Sequence, residues 1–407
     1  MEGIEAAEAG FDPDRLARID RFLDERYLAP ELLAGAQLLI ARDGKIVHFT
    51  TAGKARASGE PMGEDSIFRI ASMTKPVTSI AFMMLVEEGS VSLDQAVETI
   101  IPEWKGMGVH DGGGAGIPFA VKPPERPMMM IDLLRHTSGL TYSFQHRTNV
   151  DAAYRSRKLE GWHGDLDLDG FVAALADIPL EFSPGTAWNY SVSTDVLGLI
   201  VERIAGMRLD RFFEERIFAP LGMEDTAFHV PTDKAHRLGD AWAWREGKGP
   251  AVYDPGGAKS AWSEPPKLLA GGAGLVSTIA DYHRFCAMLQ GGGALDGARI
   301  VGRKTLELMT ANHLPGGADL TEMSRSLFSE AINAGQGFGL GFGVNLDPAK
   351  TMLPGSKGEY YWGGMFSTAF FVDPVERLHM IFMAQLMPSS TFPIRRQLKT
   401  LIYSALR

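Results

Sequence analysis

The chain has 407 residues, 45% of them hydrophobic and 22% charged. This is an ordinary globular composition, long enough for two or three domains. A net charge of −10 with no Lys/Arg cluster argues against nucleic-acid binding. No apolar run approaches the length of a membrane span, and the lone cysteine, Cys286, permits no intrachain disulfide.

Asp12-Pro13 opens a predicted helix, with an acid at the N-cap and proline at its first position; Leu16, Ile19, Phe22 and Leu23 give it one apolar face. Ala36–Ala41 and Ile46–Phe49 read as strands joined by Asp43-Gly44, a strong hairpin signal. His48 falls in the second strand as an ordinary sheet residue.

Ser72-Met73-Thr74-Lys75 then precedes Pro76 to Glu88, a run apolar nearly all round, as a helix buried in a protein centre should be. Gly89 is its expected end. A helix there puts Ser72 and Lys75 one turn apart on one face. Ser72 then lies at a helix N-terminus, whose partial positive charge favours an oxyanion. The spacing alone is a weak signal, since an N-cap serine and a solvated lysine produce it as well.

Residues 90–126 read as a glycine-rich loop, and Met128 to Met130 as core filler before a short helix ending near Arg135-His136. Residues 150–265 read as mostly helical, with helices over 168–175, 193–204 and 209–218, and 232–268 irregular. Gly271 to Thr278 is glycine-rich but lacks a phosphate-cradling spacing; Ser277 or Thr278 caps a helix over 280–289. Gly337 to Val344 alternates strictly, with glycines on one face that imply a close backbone approach. Residues 360–374 and 378–384 read as adjacent strands, and 393–406 as a closing helix. The expected fold is α+β: a central antiparallel sheet flanked by helices, built from 1–89 and 270–407, with a mostly helical insertion over 90–269.

Four stretches together resemble a known family. Phe68-Arg69-Ile70-Ala71-Ser72-Met73-Thr74-Lys75 looks like its nucleophile box, and Leu134 to Leu140 like its structural loop. Phe182-Ser183-Pro184-Gly185 through Tyr190-Ser191 looks like its second box, and Gly274 to Thr278 also recurs there. The chain is similar to serine hydrolases of the class C β-lactamase and penicillin-binding-protein fold, and most of all to family VIII carboxylesterases. That resemblance implies a β-lactamase-like fold. It makes Ser72 the nucleophile, Lys75 and Tyr190 its proton network, and the N–H groups of Ser72 and Met365 the oxyanion hole.

Where the lactamases carry Lys-Thr-Gly, this chain has Trp362-Gly363-Gly364. Tryptophan cannot bind a substrate carboxylate, so a neutral short-chain acyl ester is the expected substrate, with Trp362, Gly363 and Gly364 beside it. The second box reads Tyr190-Ser191-Val192 and lacks the lactamase amide. No Gly-x-Ser-x-Gly elbow occurs, which argues against the α/β-hydrolase mechanism. The expected enzyme is a serine carboxylesterase. A β-lactamase or D-aminoacyl peptidase, an acyltransferase, or a non-enzymatic scaffold are the competing readings. His136 and Asp132 tempt one to draw a triad, but a structural loop is the expectation. Neither cofactor nor metal is expected, as the ten histidines form no His-Glu-x-x-His pattern. The expected partner is a small-molecule ester, with no nucleic acid and no membrane; oligomeric state cannot be read. Met1 to Gly10 lacks a leader pattern, so the cytoplasm is the expected compartment.

Overall fold

The computed structural model describes residues 3–159, 164–325 and 334–407; residues 160–163, inside the stretch read as mostly helical, lie outside it. Helix α1 (Pro13–Leu23) starts where Asp12 accepts from the N–H groups of Asp14 and Arg15, and it buries Leu16, Ile19 and Leu23. Strands β1 (Gly35–Arg42) and β2 (Lys45–Gly53) are joined by Asp43 and Gly44. Both turn residues are left-handed (φ 54° and 74°), as a tight turn of this hand requires.

Five later strands complete the main sheet: β5 (Gln336–Phe338), β6 (Gly343–Asn345), β7 (Tyr360–Gly363), β8 (Ala369–Asp373) and β9 (Leu378–Met383). Between the two groups fall β3 (Phe68–Arg69) and β4 (Val276–Ser277), a separate short pair. The main sheet runs β5-β6-β7-β8-β9-β1-β2 and is antiparallel throughout. The first hairpin therefore docks on the last strand, with Leu39 opposite Ile381.

Alternation sorts the two faces of this sheet. Leu38, Ile40, Phe371, Met380 and Phe382 pack with α1 and the last helix, α6 (Ile394–Ser404). Leu39, Ala41, Phe370, Val372, Ile381 and Met383 pack on the other side with α2 (Thr74–Glu87) and α5 (Ile279–Gln290). Helix α4 (Ser193–Ala205) packs on α2, and the short α3 (Met130–Leu134) packs on α4. No helix among the described residues is long and apolar enough to cross a membrane.

Four stretches depart from the sequence reading, and glycine or a tight turn is the cause in each. Residues 109–114 and 117–122, read as loop, form a hairpin. Gly112, Gly113 and Gly114 all have positive φ there and break the register, which hides the strand alternation. Residues 241–245 and 249–254, read as irregular, form a second hairpin turned at Gly247 and Gly249. The alternating run 337–344 is not one strand: it folds back between β5 and β6, with Gly341 at φ 96°. The close approach it implied is present, since a Cβ at Gly341 would collide with Ser79 Oγ. Residues 360–374 likewise split into β7 and β8 around a turn in which Ser367 has φ 68°.

Candidate active site

The segment that carries Ser72 begins with a backbone that must be forced. Ala71 has φ 45°, a left-handed conformation that costs a non-glycine residue about 1–2 kcal/mol. Its neighbours hold it there. Ile70 N–H donates to Leu275 O at 3.1 Å. Arg69, fully buried, donates to Gly239 O (2.9 Å), Gln385 Oε1 (3.1 Å) and Ser260 Oγ (2.9 Å) and pairs with Asp254. A 3-10 turn over Ala71–Met73 then runs into α2, so Ser72 sits in the first turn of the helical segment. Leading N–H groups of a helix have no partner within it, which leaves the Ser72 amide for a ligand.

Ser72 is half-buried, and two side chains converge on its hydroxyl. Tyr190 OH donates to Ser72 Oγ at 2.7 Å, and Lys75 Nζ donates to it at 3.2 Å. Lys75, 1% exposed, also donates to Tyr142 OH at 3.0 Å and to Gly272 O at 2.7 Å. Its ammonium lies 4.5 Å from the Tyr190 ring centre and 5.3 Å from that of Tyr142, cation–π geometry that suits a charged lysine.

Tyr190 is fixed from behind, just ahead of α4. Asn189 N–H donates to His136 O (2.9 Å), Asn189 Nδ2 to Leu140 O (3.0 Å), and Gln145 Nε2 to Tyr190 O (3.1 Å). The rings of His136, Tyr142 and Trp362 stand 5.0, 5.2 and 5.5 Å from the Tyr190 ring.

Tyr142, Gly272 and Asp195 join the site without having been picked out from the sequence. Asp195 is buried on α4 and accepts from Gly272 N–H at 2.9 Å. Burial raises its pKa, and the charge of Lys75 partly offsets that. A Cβ on Gly272 would stand 2.6 Å from Asp195 Oδ2, so only glycine fits between this carboxylate and the lysine. Tyr142 lies two residues beyond the loop motif that ends at Leu140, near enough for a longer window to have included it.

No triad forms at His136. Its Nδ1 meets Ser191 Oγ at 3.2 Å, and burial, then the charge of Lys75, pushes its pKa well below the ordinary histidine value. Asp132 is occupied with Arg126 (2.6 Å), Arg135 (3.1 Å), Thr137 Oγ1 (2.8 Å) and Met129 N–H (2.9 Å). Burial alone would raise that carboxyl, but these partners, Arg126 foremost, hold it below its ordinary value.

Gly363 ends β7, and Gly364 and Met365 enter the turn to β8. The turn abuts the segment that carries Ser72: a Cβ at Gly364 would collide with Ile70 O, and Thr368 Oγ1 donates to Ile70 O at 3.3 Å. Met365 is half-buried, and its N–H donates to no group among the described residues. Trp362 differs from the expected pocket wall. It is 2% exposed, with its ring against those of Tyr190 (5.5 Å) and Phe338 (5.3 Å). Among the described residues no three His, Cys, Asp or Glu side chains gather as a metal site requires.

Residues 25–403 match the sequence family described as Beta-lactamase. Protein Rv1367c of Mycobacterium tuberculosis is 35% identical over 361 residues, 88% of this chain and 87% of that one. Esterase EstB of Burkholderia gladioli is 32% identical over 384 residues, again 88% and 87% of the two chains. The solved structure of EstCE1, a hydrolase with promiscuous acyltransferase activity, superposes with a TM-score of 0.78 at 24% identity. It covers 96% of this chain and 99% of that one, which shows a common fold.

Proposed function

This chain belongs to the beta-lactamase family, and from that premise we propose that it is a serine carboxylesterase acting on short-chain acyl esters through an acyl-enzyme on Ser72. The observation that carries the reading is the pair of contacts on one oxygen: Ser72 Oγ has Tyr190 OH at 2.7 Å and Lys75 Nζ at 3.2 Å. Similarity to Esterase EstB over most of both chains supports the ester as substrate.

The steps follow from the donors and acceptors available. Three oxygens lie within hydrogen-bond reach of Lys75, as the three N–H groups of an ammonium require. In the proposed mechanism Lys75 is the cation that stabilises the Tyr190 phenolate across a 4.5 Å approach to its ring, and Tyr190 exchanges the protons. With Tyr190 entering the step as the phenolate, Ser72 Oγ turns its hydroxyl proton toward it and attacks the ester carbonyl carbon as that proton passes to the Tyr190 oxygen. The carbonyl oxygen becomes an oxyanion facing the N–H groups of Ser72 and Met365. Collapse breaks the bond to the alkoxide, which takes the proton from Tyr190 and departs as the alcohol. Water then attacks the acyl-serine, losing its proton to Tyr190, and Ser72 leaves with that proton as the acid is released.

Trp362 supports a neutral substrate, because it fills with an indole the place where lactamases put an ammonium. The test compares p-nitrophenyl butyrate with nitrocefin and looks for an acyl adduct on Ser72 by mass spectrometry. Turnover of the ester, lost in Ser72→Ala, is expected, with nitrocefin a poor substrate. Full ester turnover by Ser72→Ala would sink the mechanism, and fast nitrocefin turnover without ester turnover would make the chain a lactamase.

A further inference from the structure

Arg395 lies in the first turn of α6 and ties that helix to the turn after β7. Its Nη2 donates to Gly364 O at 2.6 Å and to Thr368 O at 2.8 Å. These carbonyls bracket the turn, which also closes on itself from Gly364 N–H to Thr368 O (2.9 Å) and from Ser367 N–H to Gly364 O (3.1 Å). Gly363 makes room for the guanidinium, since a Cβ there would stand 2.7 Å from Arg395 Cζ and Nη1. The turn also rests on Ile70, two residues before Ser72.

The peptide joining Gly364 to Met365 is trans. Its C=O and N–H therefore point in opposite directions. A carbonyl drawn toward α6 sends the Met365 N–H away from α6, in a turn that also touches Ile70 of the segment before Ser72. A charge-assisted bond at the oxygen also polarises the amide and strengthens the donor at its other end. We infer that Arg395 is a positioning residue for the oxyanion hole: it orients and polarises the Gly364–Met365 peptide so that its N–H meets the negative charge developing on the ester oxygen. The inference rests on the proposed Ser72 mechanism and adds a residue from the last helix that acts through the turn's backbone.

Two substitutions test it. Arg395→Met keeps the aliphatic length and removes both bonds. Arg395→Lys keeps a charge but is shorter and loses the rigid, planar guanidinium that sets Nη2 between the two carbonyls. Turnover of p-nitrophenyl butyrate is measured per active site, counted by the p-nitrophenol burst. Affinity for butaneboronic acid, which forms a tetrahedral adduct on serine, and the thermal midpoint are read alongside. Direct loss of an oxyanion donor costs about 10²–10³-fold, so its misorientation in Arg395→Met should lower kcat about 10–100-fold. KM should stay within about twofold and boronate affinity should fall by the factor lost in kcat, because the missing interaction belongs to the tetrahedral state. Arg395→Lys should fall between parent and Arg395→Met.

Parental kcat per active site and parental boronate affinity in Arg395→Met would overturn the inference, as would a variant that merely has fewer active sites and a lower thermal midpoint. If Arg395→Met does not fold, Arg395→Lys decides, and parental values there overturn the inference equally. Ser72→Ala separates this failure from that of the underlying mechanism. An inactive Ser72→Ala beside a parental Arg395→Met counts against the positioning role alone.

Discussion

Tyr190→Phe isolates the proton step. The substitution deletes one oxygen and leaves the ring, which stays packed against His136, Tyr142 and Trp362. The lost atom is the one 2.7 Å from Ser72 Oγ. General acid–base catalysis by a positioned side chain contributes about 10²–10⁴-fold, or about 3–5 kcal/mol of transition-state stabilisation. Lys75 remains 3.2 Å from the same oxygen and can carry part of the load. The expected fall in kcat/KM for p-nitrophenyl butyrate is therefore about 10³-fold, near the middle of that range. Stability should change by about 1 kcal/mol or less, because Ser72 keeps a hydrogen-bond partner and no cavity larger than an oxygen opens. Steady-state kinetics and thermal unfolding of the same preparation give both numbers. A folded Tyr190→Phe enzyme with kcat/KM within tenfold of the parent would refute the argument and assign the proton to Lys75 alone.

The hydroxyl of Tyr142 meets Lys75 at 3.0 Å. Tyr142→Phe should cost about tenfold in kcat/KM, as loss of one buried bond to a charged group predicts, and less than Tyr190→Phe; the reverse order would misassign the two phenols. Asp132→Ala removes one side of a buried ion-pair cluster with Arg126 and Arg135 and should lower the unfolding free energy in urea by about 3–5 kcal/mol. Its partners hold the Asp132 carboxyl below its ordinary value, so this stabilisation is complete above the unfolded value of about 3.9 and is lost as pH falls through the lower folded one. The gap between parent and Asp132→Ala should accordingly close in acid. His283 and His379 share a 2.8 Å contact between α5 and β9, and burial pulls His283 down to about 4 and His379 well below its ordinary value. Neutral buried histidines contribute stability above about pH 6.5 that is lost as pH falls toward 4, about 3 kcal/mol for His283 alone. A His283→Leu/His379→Leu variant should flatten that slope. Asp281, raised to about 6 by burial, titrates in the opposite sense, so the quantity to measure is the difference between parent and variant across the window.

What could be read from the sequence was local, and what could not was made of backbone and distance. Ser72 and Lys75 are neighbours on one helix, and an apolar run on every face announces that helix. The hairpin at Asp43-Gly44 was equally legible, because its turn chemistry sits in two adjacent residues. The hairpin over 109–122 was not, because its glycines erase the alternation by which a strand is recognised; nor was that over 241–254, two short strands turned at Gly247 and Gly249 inside a Gly-, Pro- and Trp-rich stretch. Lys75 shows the same division at the level of chemistry. Its nucleophile contact is three residues away, whereas Tyr142 and Gly272 lie 67 and 197 residues off. A side-chain motif can point to a phenol, but a carbonyl belongs to every residue and carries no signature. The sign that remains is negative: a position where any side chain would strike the Asp195 carboxylate at 2.6 Å. Gly271-Gly272 is visible as a glycine run, and its spacing fits no phosphate cradle. The physical question to ask of such a run is what lies within one methyl group of it, and here that is the carboxylate whose charge faces the lysine.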